Sequence, residues 1–383
     1  MPVRILSLKL ESFGLDISDL SLKIVKLNKK GAVFGLASFG EAEIPAGIIE
    51  GGEIKNEDAL AKIIKEATSK VKGEKLKTKY VIASLPEEKS FLQVIQLPKM
   101  TEEDLQKAVR FEVENYIPLP IGEVYLDFQV IQPIHNHPDH LDVLIAALPR
   151  KTVDPYVASI KKAGLVPMAL EVESQAIARA LIKNGSSSLP VLLIDFGATR
   201  TSFIIFSGYS PLFTSSIPVS SRDFSQAISK SMNIDLAEAE KLKRKYGLGA
   251  FEKISFRKKT ESVKLEKEVV EDKRILNALV PSIMDLTEQI KKCLDYSLTH
   301  ISHESLGPDA KKSISRILLC GGGANLKGLA DILSLELKTP VLIANPWINI
   351  LAEPLRETPE LSKEKSLSYA TALGLALRAV KEK

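Results

Sequence analysis

The sequence predicts an α/β protein made of two similar halves, with a small α+β unit inserted into the first. Three observations carry this. A strand–turn–strand with Asp16 lies near the N-terminus, a second with Asp195 opens the middle of the chain, and a strand runs into Gly321-Gly322-Gly323 near the end. A strand ending in Asp195 and turning on Gly197 is also an ordinary feature of a buried sheet. The second copy at Asp16 sets it apart, because two acidic hairpins with small tip residues can face each other across an anion. At 383 residues the chain is long enough for more than one core.

Composition narrows the function classes. Lys and Arg number 52 and Asp and Glu 48, so the net charge of +4 gives no nucleic-acid or membrane footprint. Hydrophobic residues make up 45% and charged residues 26%, the balance of a globular chain. The two cysteines, Cys293 and Cys320, make no disulfide framework and suit a reducing compartment. Met1–Lys9 alternates apolar and basic residues without a signal-peptide core, and no apolar run is long enough to span a bilayer. The expected location is the cytoplasm.

The elements follow in order. Phe13–Leu27 reads as a hairpin, with Leu22, Ile24 and either Val25 or Leu27 directed inward, and 32–42 as a further strand. Residues 56–71 read as a helix capped by Asn56, with Leu60, Ile63, Ile64 and Ala67 on one face. Lys79–Leu85 is a buried strand stopped by Pro86. The inserted unit begins with a strand at Phe91–Leu97 and a helix at Thr101–Asn115, where Thr101 and Asp104 make a capping box with Asp in place of Glu. Tyr116–Pro120 breaks that helix. Strands at Val124–Gln132 and Leu141–Ala147 and a helix at Pro149–Ala163 complete a β-α-β-β-α order, with another strand at Val166–Glu171. Three of the five histidines, His135, His137 and His140, sit in the loop between those strands, which reads as a solvated turn and not a metal site.

A helix follows Glu173, and Asn184–Ser188 marks a boundary between the halves. In the second half, Ser220–Met232 and Leu236–Tyr246 read as helices, the latter ended by Gly247. Acidic residues offset the lysines between Lys241 and Arg274, which reads as a solvated helix or insertion. Leu276–His300 is a long helix with Leu279, Ile283, Leu286, Ile290 and Cys293 along one stripe, so Cys293 reads as core. Ser315–Leu329 is a strand, three glycines and a helix start whose amides point at whatever approaches. Pro340–Ala344 is a last strand, and Ser368–Val380 a final helix in which Gly374 calls for close packing.

Together these features resemble the actin, DnaK and sugar-kinase superfamily of ATPases. More closely, the chain is similar to the PilM family of type IV pilus assembly proteins. The resemblance rests on Leu97–Leu105 with Ala108–Pro120, on Pro211–Pro218 and on Ala237–Arg244. It implies a duplicated actin-like (ribonuclease H-like) fold. Residues 1–187 would form the first domain, with the inserted α+β subdomain at 88–165 and completion by a C-terminal helix at 366–383; residues 188–345 would form the second.

The resemblance also implies a site for ATP with Mg²⁺. Asp16 and Asp195 would face the metal from opposite loops. Ser18, Ser21 and Lys23 would line the first phosphate loop, and Gly197, Ala198, Thr199 and Thr201 the second. Glu173 would orient an attacking water, with Gln175 as the other candidate. Glu240 and Lys243 would contact ribose and base, and Gly321, Gly322, Gly323, Ala324 and Asn325 would form the adenosine motif. From the residues alone, Glu240 and Lys243 are equally an exposed i, i+3 pair, Thr199 and Thr201 are β-favouring residues, and Glu173 suits a helix N-terminus.

The first loop departs from the family pattern. Asp16-Ile-Ser-Asp-Leu-Ser21 places Ser18 where a glycine is expected and adds the charge of Asp19 and the bulk of Leu20. Two like charges about 5 Å apart at an effective dielectric of about 20 repel by about 3 kcal/mol, which weakens binding about a hundredfold. Arg200 either compensates by meeting a phosphate or points to solvent. The resemblance implies an adaptor at the inner face of the cytoplasmic membrane. Its partner would be the N-terminal tail of a PilN-like inner-membrane protein, its only link to the membrane; nucleic acid is not expected, and self-association and turnover of ATP stay open. Two other functions compete: an FtsA-like filament-forming division protein, disfavoured because the chain stops after its last helix, and a small-molecule kinase, disfavoured by the small insertion.

Overall fold

In the computed structural model, residues 10–30, 33–117, 119–131, 140–249, 267–300, 314–351 and 360–381 are described. The expectations for Met1–Lys9, for Pro118, for the loop at His135 and His137, and for residues 250–266 of the charged run lie outside them.

The first half opens with the hairpin of β1 (Ser12–Ile17) and β2 (Ser21–Lys30), then β3 (Val33–Glu43), a small hairpin of β4 (Ile49–Glu50) and β5 (Glu53–Ile54), α1 (Glu57–Ser69), β6 (Lys72–Gly73) and β7 (Tyr80–Leu85). A 3-10 turn at Glu87–Lys89 leads into the inserted unit. That unit comprises β8 (Phe91–Pro98), α2 (Glu102–Tyr116), β9 (Val124–Val130), β10 (His140–Pro149) and α3 (Arg150–Lys162). Next come β11 (Val166–Val172) and α4 (Glu173–Leu181). The second half holds β12 (Ser187–Phe196), β13 (Thr201–Gly208), β14 (Ser210–Ile217), α5 (Ser221–Met232), α6 (Leu236–Tyr246) and α7 (Lys267–His300). After these come β15 (Arg316–Cys320), α8 (Leu329–Leu337), β16 (Val341–Ile343), a short α9 (Lys363–Ser366) and α10 (Ala370–Lys381).

Two sheets organise the chain. The first runs β11-β7-β1-β2-β3-β6 and the second β16-β15-β12-β13-β14-β8-β10-β9. The inserted unit is therefore tied to both halves. Its own three strands extend the second sheet, because Phe213 of β14 lies opposite Gln93 of β8.

Local chemistry explains most boundaries. Asn56 caps α1 by accepting from the Ala59 amide at 3.0 Å, and Thr101 caps α2 by accepting from the Asp104 amide at 3.3 Å. Ser220 and Asp223 form a full capping box at α5. In β2, Leu22 and Ile24 join the core beneath α1 and α3, whereas Val25 and Leu27 join a separate core beneath α10. All four are buried because helices cover both faces of this sheet, so the choice between Val25 and Leu27 does not arise.

Helix α10 crosses the centre of the first half. A Cβ on Gly14 of β1 would sit 2.5 Å from the Ala372 carbonyl oxygen, and one on Gly374 would sit 1.8 Å from that of Ala176 in α4. Both glycines are there because backbone meets backbone. Among the described residues no helix is long and apolar enough to cross a membrane.

Candidate functional site

The first hairpin presents Asp16 from the end of β1. Asp16 is buried; its Oδ1 accepts from the Ser84 hydroxyl at 3.1 Å, and the strand register sets it opposite Lys23 of β2. Burial raises its pKa, against the pull of Lys23 and of the Ser84 hydrogen bond. The turn is held by its own hydroxyls: the Ser18 hydroxyl donates to the Ser21 carbonyl at 2.9 Å and lies 3.1 Å from the Ser21 hydroxyl. The Lys23 ammonium donates to the Ser21 hydroxyl at 2.7 Å. These three side chains form one linked group beside Asp16.

Asp19 has partners the sequence did not indicate. Its carboxylate accepts from the amides of Gly51 and Gly52, at 3.2 and 3.0 Å, and so caps the β4–β5 turn. It is a structural acceptor held on the adjacent turn. Asp19→Gly should therefore cost about 1–2 kcal/mol of stability through two lost charge-assisted bonds. It should change nucleotide affinity by less than about threefold. Chemical denaturation and a nucleotide titration of the same variant check both halves of this, and a large gain in affinity without loss of stability would return Asp19 to the phosphate path.

The second hairpin turns at Gly197, whose amide donates to the Arg200 carbonyl at 3.0 Å. A Cβ there would lie 2.9 Å from that oxygen, which accounts for the glycine. Ala198 is exposed at the tip, and Thr199 is half-buried beside it. Thr201 is fully buried and its hydroxyl donates to the Val219 carbonyl at 2.6 Å, so its side chain serves the sheet and does not line the loop. Arg200 does not point to solvent alone. It pairs with Glu88 of the first half and donates to the Ser216 hydroxyl at 2.6 Å.

The glycine run has three different reasons. Gly321 has φ +81°, and a Cβ would meet Asp195 Oδ1 at 2.3 Å; a Cβ on Gly323 would meet the Phe196 ring at 2.4 Å. Both let β15 close against the second loop. Gly322 is the open one, with its nearest neighbour Ser368 at 3.9 Å. Residues Gly322–Asn325, including Ala324, form a 3-10 turn, and α8 starts only at Leu329, so the expected helix N-terminus does not sit on the glycines. Asn325 donates instead to the Glu364 carbonyl at 3.0 Å.

Glu240 and Lys243 are not an exposed pair. Their ion pair is 2.7 Å long, and the buried Lys243 ammonium donates to both the Ser221 hydroxyl and carbonyl at 2.7 Å. Burial pushes Glu240 up, but hydrogen bonds from Lys243, Ser225 and Arg244 outweigh it and leave its pKa below the ordinary value. The pair fastens α6 to α5 beside the second loop.

Carboxylates converge between the halves. Glu173, the first residue of α4, has a pKa well above the ordinary range, from burial first and then from Asp16, Glu88, Asp195 and Glu87. Gln175 is half-buried on the same helix. Asp195 is pushed up to about 6 by burial and by Asp16, opposed by Lys23 and by the Cys320 thiol, which donates to it. Sequence reasoning missed Glu87 and Glu88. Glu87 is buried, accepts from the Ser174 amide at 3.2 Å and bonds Thr214 of β14. The signal was present: two acids directly after a buried strand and a proline.

Among the described residues, no group of three or more His, Cys, Asp or Glu could by itself hold a metal ion. A cation here would need ligands from elsewhere, as it would if it arrived on a polyphosphate. The donor set fits such a cation: Asp16 and Asp195 are charged at a cost that a divalent ion would offset. Lys23, Ser18 and Ser21 would meet phosphate oxygens on one side and the Gly197–Thr199 turn on the other.

A model of the family described as type IV pilus assembly protein PilM matches residues 14–380. Among solved structures, the chain is similar to one described as a PilM-PilN type IV pilus biogenesis complex, at 30% identity and a TM-score of 0.77, covering 98% of this chain and 100% of that one. It shares its fold with MreB 5 of Spiroplasma citri bound to AMPPNP, at 15% identity and a TM-score of 0.53 over 97% and 96% of the two chains. The ethanolamine utilization protein EutJ from Carboxydothermus hydrogenoformans matches at 14% identity and 0.52, over 95% and 88%. The fold is the duplicated actin-like one.

Proposed function

The chain belongs to the PilM family of type IV pilus assembly proteins, and from that membership we propose an assembly adaptor at the inner face of the cytoplasmic membrane. It binds a PilN-like inner-membrane protein by that partner's N-terminal tail. The observation that carries this is the match of the whole chain, inserted unit included, to the subunit of a PilM-PilN complex. On the inserted unit Phe111, Tyr116 and Tyr125 are each partly or largely exposed and are the candidate anchors for apolar residues of that tail.

The second element of the proposal is ATP between the halves. Mg²⁺ would be met by Asp16 and Asp195, the phosphates by the Ser18–Lys23 group and the Gly197–Thr199 turn, and the nucleoside by Gly322 and the α5–α6 side of the second half. Glu173, with Gln175 beside it, stands where a water would be oriented. A cleft crowded with carboxylates favours holding a metal–nucleotide complex, because the bound cation relieves their repulsion.

Calorimetry with a synthetic PilN-like tail tests the adaptor function. One peptide per folded chain is expected, with a negative heat-capacity change from its apolar anchors. Absence of binding to well-folded protein, with and without Mg-ATP, would sink it.

A further inference from the structure

We propose that Arg200 reads the terminal phosphate of the nucleotide, and that Glu88 holds its guanidinium in place of that phosphate when the site is empty. This rests on the reading that a nucleotide binds between the halves. Arg200 follows the Gly197–Thr199 turn directly, so its side chain is anchored where phosphates would lie. Its guanidinium reaches across to Glu88 in the first half while its Nε stays on Ser216 in its own half. The side chains are 24% and 11% exposed, so the pair is largely shielded from water.

Glu88 is a costly partner. Its carboxylate is raised in pKa by burial and by Asp19, against the pull of Arg200, and its charge in turn acts on Glu173. A phosphate dianion carries more charge than a carboxylate, and it can engage the guanidinium by two prongs where Glu88 meets it through one nitrogen, Nη1. The two therefore compete for one guanidinium. An anion lacking the terminal phosphate competes less.

The exchange has a route outward. Glu88 sits in the Glu87–Lys89 turn, and β8 of the inserted unit starts two residues beyond that turn, at Phe91. The turn is fastened to the second half twice, by Glu88 to Arg200 and by Glu87 to Thr214. Terminal phosphate removes the first fastening. The inserted unit, where the partner peptide is placed above, is thus linked to the number of phosphates bound.

The test measures Mg-ATP and Mg-ADP affinities by calorimetry for the wild type, Glu88→Gln and Arg200→Gln. Removing the competitor with Glu88→Gln should tighten ATP binding about tenfold, within the usual range of coupling between sites, and ADP binding by less than about twofold. Arg200→Gln should bring ATP affinity down toward that of ADP. Near-ultraviolet circular dichroism confirms folding, and Glu88→Gln, which loses one charge but keeps its shape, decides the matter if Arg200→Gln does not fold. Equal shifts for ATP and ADP, or none, in folded Glu88→Gln would overturn the proposal while leaving nucleotide binding intact. If neither nucleotide binds the wild type or Glu88→Gln, the nucleotide reading fails, and the role of Arg200 with it.

Discussion

Gly374→Ala should destabilise the protein by about 3 kcal/mol or more, although alanine is the better helix former. In an open helix that change gains about 1 kcal/mol. Here the new methyl would lie 1.8 Å from the Ala176 carbonyl oxygen, 2.5 Å from its carbon and 2.9 Å from its Cα. These are backbone atoms and no rotamer change relieves them. The helices α4 and α10 must separate, and separation loosens what is built on their contact. The Arg179 guanidinium donates to the Gly374 carbonyl at 3.3 Å and pairs with buried Glu171. On its other side, α10 is pinned to β1, where Gly14 faces the Ala372 carbonyl.

Overpacking of this kind costs about 1–3 kcal/mol even where side chains can yield. With backbone on both sides the upper end is the starting point. Gly122→Ala is the control, since a Cβ there meets nothing within 4 Å; it should stay within about 0.5 kcal/mol. Denaturant unfolding of the two variants gives the comparison. If Gly374→Ala were as stable as wild type, α4 and α10 could not cross as closely as described. Because α4 carries Glu173 at its first turn, the loss should also reach the site: Mg-ATP should stabilise Gly374→Ala less than it stabilises the wild type.

Much of this frame was legible in the chain. The two acidic hairpins, the caps at Asn56 and Thr101, the Leu279–Cys293 stripe and the close approach at Gly374 all follow from local periodicity, from side-chain acceptors a few residues away, or from a glycine where a helix should not want one. The site was legible in outline only. Asp16, Lys23, Asp195 and Glu173 do come together, but what they meet depends on partners distant in sequence.

The sequence placed Asp19 beside the first loop but could not show that Gly51 and Gly52, more than 30 residues away, hold its carboxylate. Arg200 found Glu88, a residue of the other half. The amides of the glycine run enter a 3-10 turn because Gly321 and Gly323 are taken up by contact with Asp195 and Phe196. In each case a short-range rule singled out the residue, while the contact it makes in the fold comes from a partner distant in sequence. Glu87, which is buried, and Glu88, which is partly so, were passed over. Two acids after a buried strand and a proline mark them out, but only the packing of their turn against β14 brings them to the cleft.

Asp195→Asn should make the nucleotide-free protein more stable at pH 7.5 while abolishing its response to Mg-ATP. The folded pKa of about 6 lies above the ordinary 3.8. A carboxyl with a raised folded pKa binds more protons folded than unfolded between those values, so its contribution to stability falls as pH rises from about 4 through about 6. Above that range the folded state carries the full cost of the charge, on the order of 1–3 kcal/mol. Asparagine removes the charge and still accepts from the Cys320 thiol. The gain should be several degrees in unfolding temperature at pH 7.5, smaller at pH 5, and absent near pH 4, where the wild-type carboxyl is protonated in the folded protein. Scanning calorimetry at those three values, without nucleotide, traces the curve. Adding Mg-ATP should then reverse the order at neutral pH, since the cation proposed to sit between Asp16 and Asp195 would have lost one of its two carboxylates. A variant less stable than wild type at pH 7.5 without nucleotide would mean that the Asp195 charge is well accommodated by Lys23 and the thiol. The idea that the empty cleft is held under repulsion, to be relieved by a bound metal–nucleotide complex, would then have to be given up.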